Sequence, residues 1–267
     1  MTLLDQPPSD VRDTIAPRLG VVTPLANEEQ TVAQFLQRVL AQLTLEDRVF
    51  CVVDNASHDA TRQRVEDVAL KDSRVVLVWA PENRCVVDAY FRGYREALAA
   101  GCRWILEMDG GLSHLPEQIP QFIAAMERGH AFAAGSRFMR GGRFNGKLSR
   151  RLVSKGGTIL SNLVLGTRMH DMCSGFECFT HETLRRVVEH GVKSRAHFFQ
   201  TEIRFFLRNC DWVEIPITYN GPTVPVPGSS ISEAIKILFS LRQHANSSPE
   251  PSRQRPELAE GCSRRTT

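Results

Sequence analysis

Residues 48–61 read RVFCVVDNASHDAT, and this stretch decides the architecture. Its first six residues form a nearly unbroken β-branched and aromatic run, the pattern of a strand buried on both faces. Asp54 ends the run, residues 55–59 supply turn and cap chemistry, and 60–70 carries the spacing of a helix. Ser57 and Asp59 stand where helix caps stand. The same order repeats on either side. Upstream, a strand over 19–23 leads through TPLANEE into a helix over 28–43. Downstream, a strand over 75–79 leads through PENRCVVDAYFRG into a helix over 86–100, closed by Gly101. A strand over 104–108 then leads through MDGGLSHLPEQIP into a helix over 116–128, and a strand over 131–134 runs into GSRFMRGG.

Strands alternating with helices in this way predict an α/β fold with a doubly wound, mostly parallel central sheet and right-handed crossovers. Ligands of such sheets bind beyond the carboxyl ends of the strands. The loops that start at Thr23, Asp54, Ala80, Asp109 and Gly135 are therefore the expected site. Asp54 and Asp109 each close an apolar strand, where a carboxylate is costly unless something binds it. Singly, each motif also fits a turn or a cap; five polar loops at successive strand ends are harder to explain that way.

Composition narrows the class. Of 267 residues, 42% are hydrophobic and 24% charged, which excludes a wholly disordered, collagen-like or membrane-embedded chain. The net charge is only +3, but it is unevenly spread: residues 128–169 hold nine Lys and Arg and no Asp or Glu. Seven scattered cysteines without a CxxC pair predict reduced thiols and a cytoplasmic protein. The start of the chain lacks the pattern of a signal peptide. No stretch reaches the ~18–20 apolar residues of a membrane span. The nearest, ISEAIKILFSL at 231–241, is short and amphipathic, so peripheral contact with the cytoplasmic membrane face is the expectation. Polar, proline-containing ends predict a flexible segment over 1–17 and a disordered tail over 246–267, around one domain over 18–245.

DNASHDAT, MDGGLSHLPEQIP, GSRF with its basic stretch, DMCSGFECF, and FFQTEIRFFL followed by VEIPITY occur in this order and spacing. Together they resemble the family 2 glycosyltransferases of the GT-A fold, and most closely the dolichol-phosphate or polyprenol-phosphate mannose synthases. The resemblance runs from about Gly20 to about Ser232. It implies a nucleotide-sugar donor, GDP-mannose first, with Pro24, Ala26 and Glu28 lining the nucleotide pocket. Asp54 would grip the base or ribose, with Asn55 where relatives often carry a second Asp. Arg84, Asp88 and Gly110 would face the donor. Asp109 matches the first Asp of a metal motif for Mg2+ or Mn2+, while Gly111 stands where the second is usual, followed by Ser113 and His114.

On the acceptor side, the resemblance assigns Arg137, Arg150 and Ser154 to the lipid phosphate, a task that suits the planar arginine fork. Asp171 would act as a base or orient the turn that follows it. Gln200 and Glu202 would face the site, and Glu177 stands where relatives place Arg or Lys, reducing phosphate attraction there. The catalytic set is thus Asp109, Asp171 and Arg137. The implied reaction is inverting transfer of a sugar, mannose first, to a polyprenyl phosphate. The departures at Gly111 and Glu177, and the lack of a basic residue in NGPTVPVPGSS, leave open a soluble small-molecule acceptor or a nucleotide-binding homologue without turnover. Nucleic acid is not an expected partner, because interleaved aromatics and recognised binding motifs are missing.

Overall fold

Successive residues of a strand point to opposite faces of its sheet, so an apolar run needs a helical layer on each side. The computed structural model, which describes residues 17–221 and 228–247, has both layers. Strands β1 (Leu19–Leu25), β2 (Arg48–Val53), β3 (Val75–Trp79) and β4 (Trp104–Glu107) are joined by helices α1 (Val32–Leu40), α2 (Thr61–Ala69) and α3 (Val86–Ala99). After β4 come a short 3-10 turn at Pro116–Gln118, helix α4 (Ile119–Glu127) and strand β5 (Phe132–Ser136). Val21 packs with Phe35, Leu36 and Phe122 on one face, while its neighbour Val22 packs with Tyr90, Tyr94 and Ala97 on the other.

The second half adds β6 (Arg143–Phe144), α5 (Leu148–Leu165), β7 (Glu177–Thr180), α6 (His181–His190), α7 (Phe199–Phe206), β8 (Trp212–Pro216), β9 (Thr218–Tyr219) and α8 (Gly228–Ser247). The central sheet has seven strands in the order β3-β2-β1-β4-β7-β5-β8, and β6 pairs with β9 beside it. All central pairings are parallel except those of β7, which runs antiparallel to both β4 and β5. The mostly parallel sheet expected from the strand-helix alternation is therefore present, with one reversed strand inserted in its middle. That reversal delivers the DMCSGF turn to the rim where β4 and β5 end.

Several boundaries move. The first helix starts at Val32 rather than residue 28, because Asn27 takes a left-handed φ of 59° and residues 28–31 form a turn. Ser57 accepts from the Asn27 N–H instead of capping α2, whereas the Asp59 carboxylate accepts from Thr61 N–H and Oγ1 at the entry to that helix. Helix α8 spans the amphipathic stretch at 231–241 and runs two residues into the expected tail. Residues 1–16, 222–227 and 248–267, which hold most of the expected loose ends and part of NGPTVPVPGSS, lie outside the described residues.

Candidate active site

The loops at the carboxyl ends of β1, β2, β3 and β4 meet the start of α5 and α7 around one cleft of about 1400 Å3. Twelve of the residues singled out from sequence line it: Pro24, Ala26, Glu28, Asp54, Asn55, Arg84, Asp109, Gly110, Arg137, Arg150, Ser154 and Gln200. Asp171 and Glu202 do not.

The loops that follow β1 and β2 are stapled together. Asn27 donates its N–H to Ser57 Oγ at 3.1 Å and its side-chain amide to the Ala56 carbonyl, while its Oδ1 accepts from His58 N–H at 2.9 Å. Asp54 accepts from Ala56 N–H and from the Asn83 amide, and Asn55 donates to the Pro81 carbonyl. Arg84 donates its backbone N–H to Asp88, and this exposed residue lines the cleft. Asp88 itself is tied to Arg195 at 3.1 Å and does not line the cleft.

Asp109, just past the end of β4, lines the cleft and is held by two hydroxyls. Its side chain is 37% exposed, Tyr90 donates to its Oδ1 at 2.7 Å, and Ser113 reaches Oδ2. Burial pushes this carboxyl up, but nearby His114 and His197 and the Tyr90 and Ser113 hydroxyls outweigh it and hold Asp109 below the usual carboxylate range. His114 is not a cleft ligand. It is buried between Phe176 and Tyr219, its Nδ1 accepts the Asp109 N–H, and burial pushes its pKa down, so the ring is neutral at pH 7.

Arg137, just past the end of β5, is clamped by Asp171. Its Nε and Nη2 donate to the two oxygens of Asp171 at 2.7 and 2.9 Å, and its own N–H adds a third bond at 3.0 Å. The guanidinium also lies over the rings of Phe138, Phe144 and Tyr219, which hold a cation without hydrogen-bonding it. Arg150 hydrogen-bonds the Tyr219 hydroxyl across the cleft. Asp171 is fully buried, and although burial raises its pKa, Arg137 and then Arg204 hold the carboxyl below its usual range. It sits behind the cleft wall as the clamp on Arg137. Of its two expected roles, the geometry matches orientation rather than proton abstraction.

Two other expectations change. Glu202 turns away from the cleft and accepts the N–H groups of Lys193 and Ser194 at 2.9 and 2.7 Å, fixing the loop before α7. Glu177 is not a negative charge facing a phosphate: it is fully buried and pairs with Arg204, itself fully buried. Arg204 also donates to the carbonyls of Asp171, Gly135 and Ser174. Across the sheet Glu177 faces Glu107, whose Oε2 accepts from the Tyr94 hydroxyl. Burial drives Glu107 well above the ordinary range, with Glu177 and Asp109 adding to it; burial also lifts Glu177 to about 7 against the pull of Arg204.

Sequence reasoning missed Tyr90, His197 and Tyr219 at the cleft. Tyr90 lies on a helical face rich in core residues, and nothing local distinguishes it from them. Part of the lining is apolar: Val153, Leu160, Ile231, Ile235 and Leu238 of α5 and α8 line the cleft together with Arg150 and Ser154.

Among the described residues no group of three or more His, Cys, Asp or Glu could hold a metal ion by itself. A cation that also binds a diphosphate needs fewer protein ligands, since Mg2+ is usually held by one or two carboxylates together with substrate phosphates and water. Asp109 meets that demand, being an anionic carboxylate open to the cleft. The peptide that follows it has no side chains at Gly110 and Gly111, and a Cβ on Gly111 would fall 2.7 Å from Glu28 Oε1. The residues present thus fit a cation shared with a diphosphate.

Residues 20–188 match the family model for Glycosyl transferase family 2. The chain is 31% identical over 235 residues to a polyprenol monophosphomannose synthase of Mycolicibacterium smegmatis, spanning 85% of this chain and 87% of that one. It is 29% identical to an undecaprenyl-phosphate mannosyltransferase of Micrococcus luteus, over 76% of this chain and 83% of the other. The fold is similar to that of glucosyl-3-phosphoglycerate synthase from Mycobacterium tuberculosis, solved with Mn2+, uridine diphosphate and phosphoglyceric acid. The TM-score is 0.62 at 15% identity, covering 88% of this chain and 80% of that one.

Proposed function

This chain belongs to glycosyl transferase family 2, and from that premise we propose that it transfers a hexosyl group from a nucleoside diphosphate sugar to a polyprenyl phosphate. Mannose from GDP-mannose is the first choice, by likeness to the two mannosyl-transferring relatives. The observation that carries the acceptor is the combination of groups that line the cleft. Asp54 and Asp109, the phosphate-suited Arg137, Arg150 and Ser154, and an apolar set from α5 and α8 all line the one cleft. A phosphate at the arginines would leave its lipid chain to that apolar set.

A phosphate acceptor is already anionic and needs no strong base. Its oxygen attacks the anomeric carbon, the bond from that carbon to the diphosphate breaks, and the nucleoside diphosphate leaves with the electron pair, inverting the centre. Arg137, held rigid by Asp171, and Arg150 neutralise and position the reacting phosphates, so that catalysis rests on orientation and fixed charge. A divalent cation bound at Asp109 would supply positive charge to the leaving diphosphate.

The same helices suit peripheral docking on a bilayer. No helix among the described residues is long and apolar enough to cross one. Leu148, Leu152, Ile159 and Leu163 of α5, with Ile231, Ile235 and Phe239 of α8, are nevertheless exposed, and the two helices pack together. Arg151 is exposed on α5 among them, and an apolar face flanked by basic residues matches an anionic lipid surface.

The test is transfer from a panel of labelled nucleotide sugars to polyprenyl phosphate in vesicles, with and without Mn2+. A lipid-linked sugar phosphate, formed best from GDP-mannose, is expected. No lipid product with any donor, or product on a soluble phosphate acceptor alone, overturns the reading.

A further inference from the structure

We propose that Glu28 supplies the second carboxylate of the cation site, in the space where Gly111 carries no side chain. The inference rests on the donor-site reading above and names a residue of this chain that completes it.

The space beside Gly111 is already filled. A Cβ there would come 2.7 Å from Glu28 Oε1 and 3.3 Å from its Cδ, closer than unbonded atoms approach. A side chain at 111 and the present position of the Glu28 carboxylate are mutually exclusive. The chain holds an acid at this point of the cleft, but it comes from the loop after β1 instead of the loop after β4.

The position of Glu28 is built by its surroundings. Left-handed Asn27 turns the chain and is held by three hydrogen bonds to residues 56–58. The Glu28 N–H donates to Thr61 Oγ1 at 2.7 Å, which fixes the backbone against the start of α2. The Thr31 hydroxyl donates to Oε2. Among the described residues no donor reaches Oε1, the oxygen that faces Gly111. Asp109, held anionic with Tyr90 and Ser113 on its oxygens, lines the same cleft two residues before Gly111. One carboxylate from each loop, plus two diphosphate oxygens and water, is an ordinary oxygen set for Mg2+ or Mn2+. Glu28 and Asp109 together bring two negative charges to a cleft whose other ionic groups include Arg84, Arg137 and Arg150, and a cation between the two acids would offset them.

The test measures metal binding apart from turnover. Uptake of Mn2+ by the full chain is followed by the electron paramagnetic resonance of the free ion, first without nucleotide and then with GDP. GDP binding in EDTA is measured separately by calorimetry. Glu28→Gln and Asp109→Asn should each weaken Mn2+ binding by about tenfold to a hundredfold, at least the loss typical for an outer-shell partner of a metal ligand. The loss of GDP affinity in Glu28→Gln should be larger with Mn2+ present than in EDTA. Gly111→Asp alone should also weaken Mn2+ binding, and the double variant Glu28→Ala/Gly111→Asp should recover it, because removing the glutamate frees the space for the new side chain. Wild-type Mn2+ affinity in Glu28→Gln overturns the inference, as does a wild-type protein that takes up no Mn2+ in either arm. An equal loss of GDP affinity with and without metal also overturns it, and assigns Glu28 to the nucleoside instead. Failure of the wild type to bind GDP or UDP under any condition refutes the donor-site reading, while the nucleotide-free Mn2+ comparison still decides the role of Glu28.

Discussion

Replacing Asp171 by Asn separates an orienting clamp from a catalytic base. The carboxylate accepts two bonds from the Arg137 guanidinium, one from the Arg137 N–H and one from Cys173 N–H at 3.1 Å. Arg137 is 6% exposed and Asp171 0%, so water cannot take over when the charge is removed. Removing one partner of a buried ion pair costs about 3–5 kcal/mol, because the other charge is left uncompensated. Asn keeps one acceptor oxygen, which places the loss near the lower end, about 3 kcal/mol. For a domain of roughly 150–250 residues, each kcal/mol moves the melting temperature by about 2–4 °C, so Asp171→Asn should melt about 6–12 °C lower. Thermal melts followed by circular dichroism, with transfer rates measured well below the melt, read both consequences. The rate should fall through weaker acceptor binding, with the shape of the pH–rate profile unchanged. A variant that melts like the wild type but loses kcat together with one limb of its pH profile would refute the clamp and restore the base. Exchanging both partners, as Arg137→Met/Asp171→Leu, should destabilise less than either single change, since no buried charge then remains unpaired.

Three further outcomes follow from the same geometry. Glu107 and Glu177 have folded pKa values raised above the ordinary 4.5, so as pH rises past that value the folded state keeps protons that the unfolded state has lost. Stability should then fall by about 1.4 kcal/mol per pH unit for each such proton, and the share of Glu177 should end as pH passes about 7. Glu107→Gln should flatten this fall, and denaturant titrations across the pH range that give it the wild-type slope would exclude the retained proton. Tyr90→Phe keeps the ring against Phe199 but removes the hydroxyl on Asp109, a bond to a charged group worth about 1.5–3 kcal/mol. Nucleotide-sugar affinity measured by calorimetry with Mn2+ should drop, and an unchanged affinity would remove Asp109 from the donor site. Leu152→Glu and Leu163→Glu, at positions 64% and 79% exposed, should leave stability within about 0.5 kcal/mol but abolish flotation with anionic vesicles; retained flotation would exclude α5 as the docking face.

What could be read from the chain and what could not divide by sequence distance. The runs VVTPL, RVFCVV and WILE announce buried strands because their signal is local, and the polar residues just after them fall at the cleft because strand ends do. β7 escaped notice: it is four residues long and carries Glu177 in its first position, which breaks the apolar run. The partners of the site are equally remote in the chain. Arg137 and Asp171 lie 34 residues apart, Tyr90 and Asp109 are 19 apart, and the Glu28 carboxylate meets the loop that holds Gly111. Asp171 and Glu202 were noticed because acidic residues in these motifs attract attention. Whether such an acid faces a ligand or holds a loop depends on which backbone N–H groups surround it, and no spacing rule encodes that.

The reversed strand has a consequence for how the protein could change. Because β7 runs against β4 and β5, with Ala134 paired to Glu177, the chain leaves the sheet after β5 and rejoins it at a neighbouring position on the same edge. Everything between, residues 137–176, is an excursion with adjacent feet, and Arg137 and Asp171 clasp each other near those feet like a buckle. An insert closed in this way can be lengthened, trimmed or replaced without shifting the register of the seven-stranded sheet, and only the β6–β9 pair beside it goes with the insert. The nucleotide half would be inherited intact while the half facing the acceptor is free to diverge, and chimaeras joined at Ser136 and Glu177 would be the natural units for exchanging one acceptor preference for another.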